Sequence, residues 1–223
     1  MRMENFKAMI WLLPTLLMAS VAADMDEKLY LLKIRLRPSA GSNQAQEVFA
    51  IKNLLTDVSG IDVLFLVKEL ANPYILAVVD VEDDCRWPAL TNVLYSMDDE
   101  YSALPLYGCE NFAKELDVEL TGLTRDFGNG TLHVTDMLFY TTGYTTTEYL
   151  DILKDHLTII NNAIANNTAK LACFRVLSDV PVKMIYLTNV HPSQVETLMK
   201  VSKLPERAQV TVRAYDNLND YYC

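Results

Sequence analysis

The chain has only three histidines in 223 residues, His133, His156 and His191, and no two of them share a metal-ligand spacing. It has four cysteines but no C-x-x-C pair, so the cysteines carry no zinc motif. G-x-S-x-G, H-E-x-x-H and glycine-rich phosphate loops are absent. No nucleophile–base set can be named from motifs, and neither a metal nor another cofactor is expected. Basic residues are scarce too: 19 Lys and Arg stand against 29 Asp and Glu, for a formal net charge of −10. That surface repels phosphate backbones, so neither nucleic acid nor an anionic membrane is an expected partner. No apolar run approaches the ~18 residues a membrane-spanning helix requires, and the "NDYYC" terminus carries no lipid-anchor signal.

What is present begins with a leader. Residues 1–23 run from a weakly basic segment (Arg2, Lys7) through an apolar stretch (Ala8 to Met18) to Val21-Ala22-Ala23. That order is the secretory signal pattern, with cleavage before Asp24. It implies a secreted, extracellular protein in an oxidising compartment. Cys85, Cys109, Cys173 and Cys223 all lie in the mature chain and are expected in disulfides. Cys85 with Cys109 is the expected pair of the first half, while Cys223 reaches Cys173 or another chain. Asn129 and Asn166 each open an N-x-[ST] sequon in a polar, turn-like stretch and are expected glycosylation sites.

The organisation is written in hydrophobic period. "LYLLKIRLR" alternates as a strand, Gln44 to Val58 carries Val48, Ile51, Leu55 and Val58 at helical spacing, and "IDVLFLVKEL" and "PYILAVVDV" read as a strand hairpin. A helix from Asp84 to Glu100 and an extended "LPLYGCENF" complete β-α-β-β-α-β. The same order restarts with "LHVTDMLFYTT", a helix over Thr145 to Ala165, a hairpin about Pro181, the helix "PSQVETLMKVSKL" and the strand "AQVTVRAYD". Corresponding landmarks such as Pro73 and Pro181 are roughly 105 residues apart. The chain therefore divides into a leader (1–23), a first ferredoxin-like unit (24–120), a linker (121–130) and a second unit (131–223).

Two such units, with their antiparallel sheets packed together, make an α+β fold. From about Leu29 to Tyr215 its element order resembles the dimeric α+β barrel superfamily with both halves in one polypeptide. The resemblance implies an intrachain barrel. The superfamily includes cofactor-independent monooxygenases, isomerases and cyclases, haem enzymes and members with no known activity. A one-histidine haem site is compatible with the residue inventory, although no pattern favours it. In the first strand Tyr30, Leu32, Ile34 and Leu36 should meet the helices. The opposite face, Lys33, Arg35 and Arg37, either faces water at the barrel rim or is neutralised by Asp136 across the interface.

Candidate chemistry is sparse. His156 sits at the edge of the apolar stripe of Tyr149, Leu153, Leu157, Ile160 and Ile164, facing the gap between helix and sheet. His191 precedes Pro192 and a Ser193–Glu196 capping box, as Asp84 precedes Pro88 in the first half, so its first reading is a strand-to-helix junction. His156, Tyr149 and His191 are the catalytic candidates. Among the 12 tyrosines, Tyr30, Tyr140 and Tyr186 are the ligand-binding candidates, since amphipathic rings suit flat organic ligands. The leading expectation is a secreted acidic protein, monomer or homodimer, that binds a small apolar or aromatic ligand or presents an interaction surface. The alternatives are a cofactor-independent monooxygenase, isomerase or cyclase with a helix–sheet pocket, and a non-catalytic extracellular structural protein. N-terminal sequencing of the protein recovered from the medium of expressing cells should start at Asp24; a chain that keeps Met1 would overturn the leader assignment.

Overall fold

The computed structural model describes residues 27–37, 43–96, 100–128, 130–165, 170–177, 179–191, 193–194 and 206–218. The leader, Asn129, Asn166, Cys223 and most of the helix expected after His191 lie outside the described residues. Eight strands close into one antiparallel barrel in the order β1-β3-β2-β8-β5-β7-β6-β4. They are β1 (Leu29–Arg35), β2 (Ile61–Glu69), β3 (Tyr74–Val81), β4 (Glu100–Gly108), β5 (Thr131–Phe139), β6 (Leu171–Val176), β7 (Lys183–Thr188) and β8 (Ala208–Asn217). The helices are α1 (Gln44–Asp57), α2 (Trp87–Ser96), α3 (Cys109–Glu115) and α4 (Thr146–Ala165). Each half contributes four adjacent strands, and the order in each is that of a ferredoxin-like sheet.

The halves meet edge to edge at two short seams. At one, Val67, Lys68 and Glu69 of β2 pair with Asn217, Asp216 and Tyr215 of β8. At the other, Leu106, Tyr107 and Gly108 of β4 pair with Val176, Arg175 and Phe174 of β6. Closure leaves no open sheet edge. It also gives every strand an inner and an outer face, which is why period-two alternation produces three separate cores. Leu31, Val78, Val134, Leu187 and the rings of Phe65 and Phe174 fill the barrel. Leu32, Ile34, Leu66 and Ile75 meet α1 and α2 outside the first half. Met137, Phe139, Met184 and Tyr186 meet α4 outside the second. Segment 121–130, expected as a linker, sends Phe127 into the barrel, 5.8 Å from Phe65 between ring centroids.

The helices start where short polar side chains can satisfy free N–H groups. Asn43 caps α1 by accepting from Ala45 N. Thr145 and Glu148 bond reciprocally at the start of α4, a capping box. In the first half Asp83, not Asp84, caps the turn that leads into α2, and Asp84 pairs with Lys28 at 3.1 Å. The expected α2 runs too long, because Glu100 already belongs to β4. The expected final strand also runs too long: after Gly108 the chain coils into α3, burying Cys109, Phe112 and Ala113.

That coil corrects the cysteine pairing. Cys109 bonds to Cys173, with Cα atoms 5.4 Å apart, and Cys85 is exposed and free of any disulfide. Cys109 follows the last β4 seam residue and Cys173 precedes Phe174 of β6, so the bond fastens the two halves where they meet. Cys85 lies at the start of the helical turn that leads into α2, exposed on the surface. Peptide mapping without reduction should recover a Cys109–Cys173 cross-link and an alkylated Cys85. Replacing both Cys109 and Cys173 by Ala should lower unfolding free energy by about 4 kcal/mol, the value for a closed loop of this length, read by urea titration of the oxidised and double-variant proteins.

Candidate functional site

The helix-facing layer of the second half carries the polar groups that the first half lacks. Over the first sheet the layer is aliphatic. Over the second, α4 drops His156 between Phe139 and Tyr186, with ring centroids 5.2 and 5.6 Å away. His156 is 2 % exposed and Tyr186 3 %. His156 Nε2 lies 2.6 Å from Tyr186 Oη, and that hydroxyl donates to Met184 Sδ at 3.2 Å. The consistent arrangement has Nε2–H donating to Oη while the tyrosine proton points at sulfur. Nδ1 is then an acceptor without a donor. Burial drives the imidazole pKa from 6.5 down to about 3 and pushes the Tyr186 phenol well above its ordinary value. Both groups are neutral at physiological pH.

This layer joins only part of the expected set. Tyr149 comes from α4 as well, but its hydroxyl is engaged, accepting from Val182 N at 2.9 Å. Tyr140 is on the surface at the start of the β5–α4 loop. Tyr30 lies in the other half, edge-on to Trp87 at 4.6 Å. His191 is exposed, and its Nδ1 accepts from Ser193 N at 3.3 Å while its carbonyl accepts from Gln194 N. That is a junction-capping role. The described clefts are lined by none of His156, Tyr149 or Tyr186.

A haem, which the superfamily resemblance brings into question, needs an imidazole nitrogen facing a flat cavity. His156 spends Nε2 on Tyr186, and Phe139, Leu153, Leu157 and Met184 fill the space about it. The residues of this layer do not fit the group. Among the described residues no three His, Cys, Asp or Glu side chains gather as a metal site.

The other concentration of chemistry is at the barrel end that carries the β2–β3 and β6–β7 turns, the hairpin end. Glu69, 4 % exposed, receives Asn72 Nδ2 and, at 3.4 Å, Tyr215 Oη. Arg213 lies 3.8 Å from Glu69 and donates to Asp136 at 3.2 Å, and Lys183 approaches Asp136 at 3.6 Å. Burial, then the Glu69 carboxylate, holds the Tyr215 phenol above its ordinary pKa. Asp136 thus neutralises Arg213 and Lys183. The expected partners are engaged elsewhere: Arg35 pairs with Glu100 and Lys33 lies over the Tyr74 ring at 4.1 Å. The rim placement of the basic face is the correct one of the two considered. Glu69, Arg213 and Tyr215 were missed by sequence reasoning; charge ending the apolar run of β2 was the available signal.

No protein-family model and no curated protein sequence matches the chain. Solved structures do. The chlorite dismutase from Candidatus Nitrospira defluvii in complex with imidazole aligns over 88 % of this chain and 94 % of its own, with TM-score 0.58 and 10 % identity. A candidate monooxygenase from Lactobacillus acidophilus NCFM covers 86 % of this chain and 94 % of its own, with TM-score 0.54 and 6 % identity. The chain therefore has the fold of the dimeric α+β barrel superfamily, and at these identities the likeness is one of fold alone.

His156 makes stability depend on pH in a defined direction. The unfolded imidazole takes a proton below about 6.5 and the folded one only near 3, so stability falls as pH drops through that window. Between pH 7 and 5 this group should cost about 2 kcal/mol. Urea titrations should show the native protein losing that much more over the interval than His156→Gln, whose amide can still donate to Tyr186. Equal losses would place the imidazole in water.

Proposed function

We propose that this chain is a secreted binding protein that holds a small organic ligand at the hairpin end of the barrel, and that His156 has a structural role. One observation carries the reading. Among the described residues, Leu70, Tyr101, Tyr140, Tyr144, Leu177 and Val180 are large apolar side chains left exposed, and all six belong to strand ends or loops at that end. The other exposed large apolar residues among those described, Phe49, Tyr95 and Leu150, lie on the helices. Apolar side chains left in water at one end of the barrel need a reason, and binding is the usual one. The signal-like pattern of residues 1–23 supports secretion, and the seam disulfide suits an oxidising compartment.

A second reading, a cofactor-independent enzyme, draws on a different observation. His133 Nδ1, Thr135 Oγ1, His156 Nδ1 and Arg175 Nε are buried without partners, and all four sit in the helix-facing layer of the second half. Unsatisfied polar groups cost about 1–3 kcal/mol each, and a catalytic pocket is one reason to retain them. The filled space about His156 weighs against it.

Native mass spectrometry of protein collected from the medium of expressing cells separates the two. The binding reading expects a small organic adduct that denaturation releases and that Tyr101→Ala with Tyr140→Ala diminishes. An adduct lost in His156→Gln but kept in the tyrosine variants would overturn it in favour of the helix-layer site.

A further inference from the structure

At the hairpin end the two sides of the barrel mouth differ in how their charges are settled. On the side of β2, β5, β7 and β8 the account is closed: Asp136 takes Arg213 and Lys183, and Glu69 takes Asn72, Tyr215 and Arg213. On the side of β1, β3 and β4, Lys33 has no acid partner among the described residues. The pairs Lys33↔Ser102 and Arg35↔Glu100 between β1 and β4, and Arg35↔Tyr74 between β1 and β3, set these side chains side by side. Lys33 and Arg35 follow Leu29 and Leu31 at every second position, so they continue the inner face of β1 out to the rim. Glu100 is the acid of this cluster, and it already accepts from Arg35 at 3.3 Å and Arg37 at 3.2 Å.

Lys33 has no carboxylate at ion-pair distance among the described residues; its ammonium rests on the face of Tyr74, 4.1 Å from the ring centroid. Among the described residues that line the cleft here, two cations, Lys33 and Arg35, stand with one carboxylate, Glu100, on a chain whose net charge is −10. That ratio is a local arrangement and not a reflection of overall basicity. Lys33, Arg35, Tyr74, Glu100, Tyr101 and Ser102 line a cleft of about 280 Å³. That is just below the ~300 Å³ at which drug-sized pockets begin, room for a single ring with its substituent. The cleft offers such a molecule two cations and a hydroxyl at one point and tyrosine surface beside them.

We propose that this cleft binds a small anionic aromatic molecule, one ring bearing a carboxylate, sulfate or phosphate, with the anion on Lys33 and Arg35 and the ring against Tyr74. The inference rests on the hairpin-end reading and narrows it to one ligand class. Lys33 supplies a charge that no carboxylate among the described residues matches, Arg35 a fork that can turn from Glu100 while Arg37 holds that carboxylate, and Ser102 a donor. Long-range attraction adds to capture and weakens with salt.

The test uses the mature chain and four probes, benzoate, phenyl sulfate, phenyl phosphate and neutral benzyl alcohol, followed by isothermal titration and amide chemical shifts. At least one anionic probe should bind, shift the amides of β1 and β4 around Lys33 and Ser102, and bind more weakly as NaCl is raised. Lys33→Gln and Arg35→Gln should each weaken it on the order of tenfold, whereas Lys28→Gln, at the other end of the barrel, should not. Failure of all three anions, equal binding of benzyl alcohol, or unchanged affinity in both variants would overturn the proposal. If native mass spectrometry still shows a tyrosine-dependent adduct in those cases, the ligand class is wrong and the hairpin-end reading survives. If no adduct appears either, both fall.

Discussion

Everything in this molecule depends on closing eight strands into a ring with two seams of three residue pairs each. The seams are short, and hydrogen bonds across them contribute only about 1 kcal/mol each net. What holds them is the content of the barrel. Side chains from both halves meet inside it, with Phe65 of the first unit against Phe174 of the second at 5.9 Å. Neither half can bury its inner face without the other. The Cys109–Cys173 bond then fixes the β4·β6 seam covalently, and Leu177 N to Pro105 O extends the same seam by one more hydrogen bond at 3.0 Å.

Element order and facing were legible in the residues for a physical reason. A closed barrel with helices outside keeps strict alternation, so Leu32, Ile34 and Leu36 had to face one way and Lys33 and Arg35 the other. The 3.6-residue period of a helix made the stripe of α4 readable down to Leu153, Leu157 and Ile164. Partners across the barrel were not legible, because they depend on stagger between strands that no local pattern records. Asp136 was correctly placed on the basic side of its strand's alternation, yet its charges come from Arg213 and Lys183. The cysteines failed likewise. Pairing within a half looked natural until α3 turned Cys109 back over the outer face, where Cys173 of the other half stands.

The two helix layers show how similar frames come to differ. Leu32, Ile75 and Leu90 fill the centre of the first with aliphatic carbon, and Tyr30 and Trp87 pack at its margin. In the second, His156 and Tyr186 occupy core positions and join through one short hydrogen bond, which leaves His156 Nδ1 without a donor. Sequence reasoning put His156 at the margin of the stripe, where a solvated or catalytic histidine belongs. Tyr186 is what draws it fully inside: a buried phenol needs a partner, and a neutral imidazole across the layer supplies one. The pair adds a directional bond to a layer otherwise held by shape, and it does so by giving up titration in the physiological range.

Closure also decides where a ligand can act. A ring of strands filled by Phe65, Phe127 and Phe174 leaves no passage along its axis, and the helix layers shut the outer faces they cover. What remains is the two ends. The end opposite the hairpins carries acids: Glu27 before β1, Asp62 near the start of β2, Asp80 near the end of β3 and Glu82 just after it. At the hairpin end the inner faces turn from apolar filling to charge, at Lys33, Arg35, Glu69 and Arg213. Charged side chains there can reach water while their backbones stay in the ladder. The same geometry that excludes a site from the interior therefore concentrates cations and tyrosine rings at one rim, on strands too firmly paired to move.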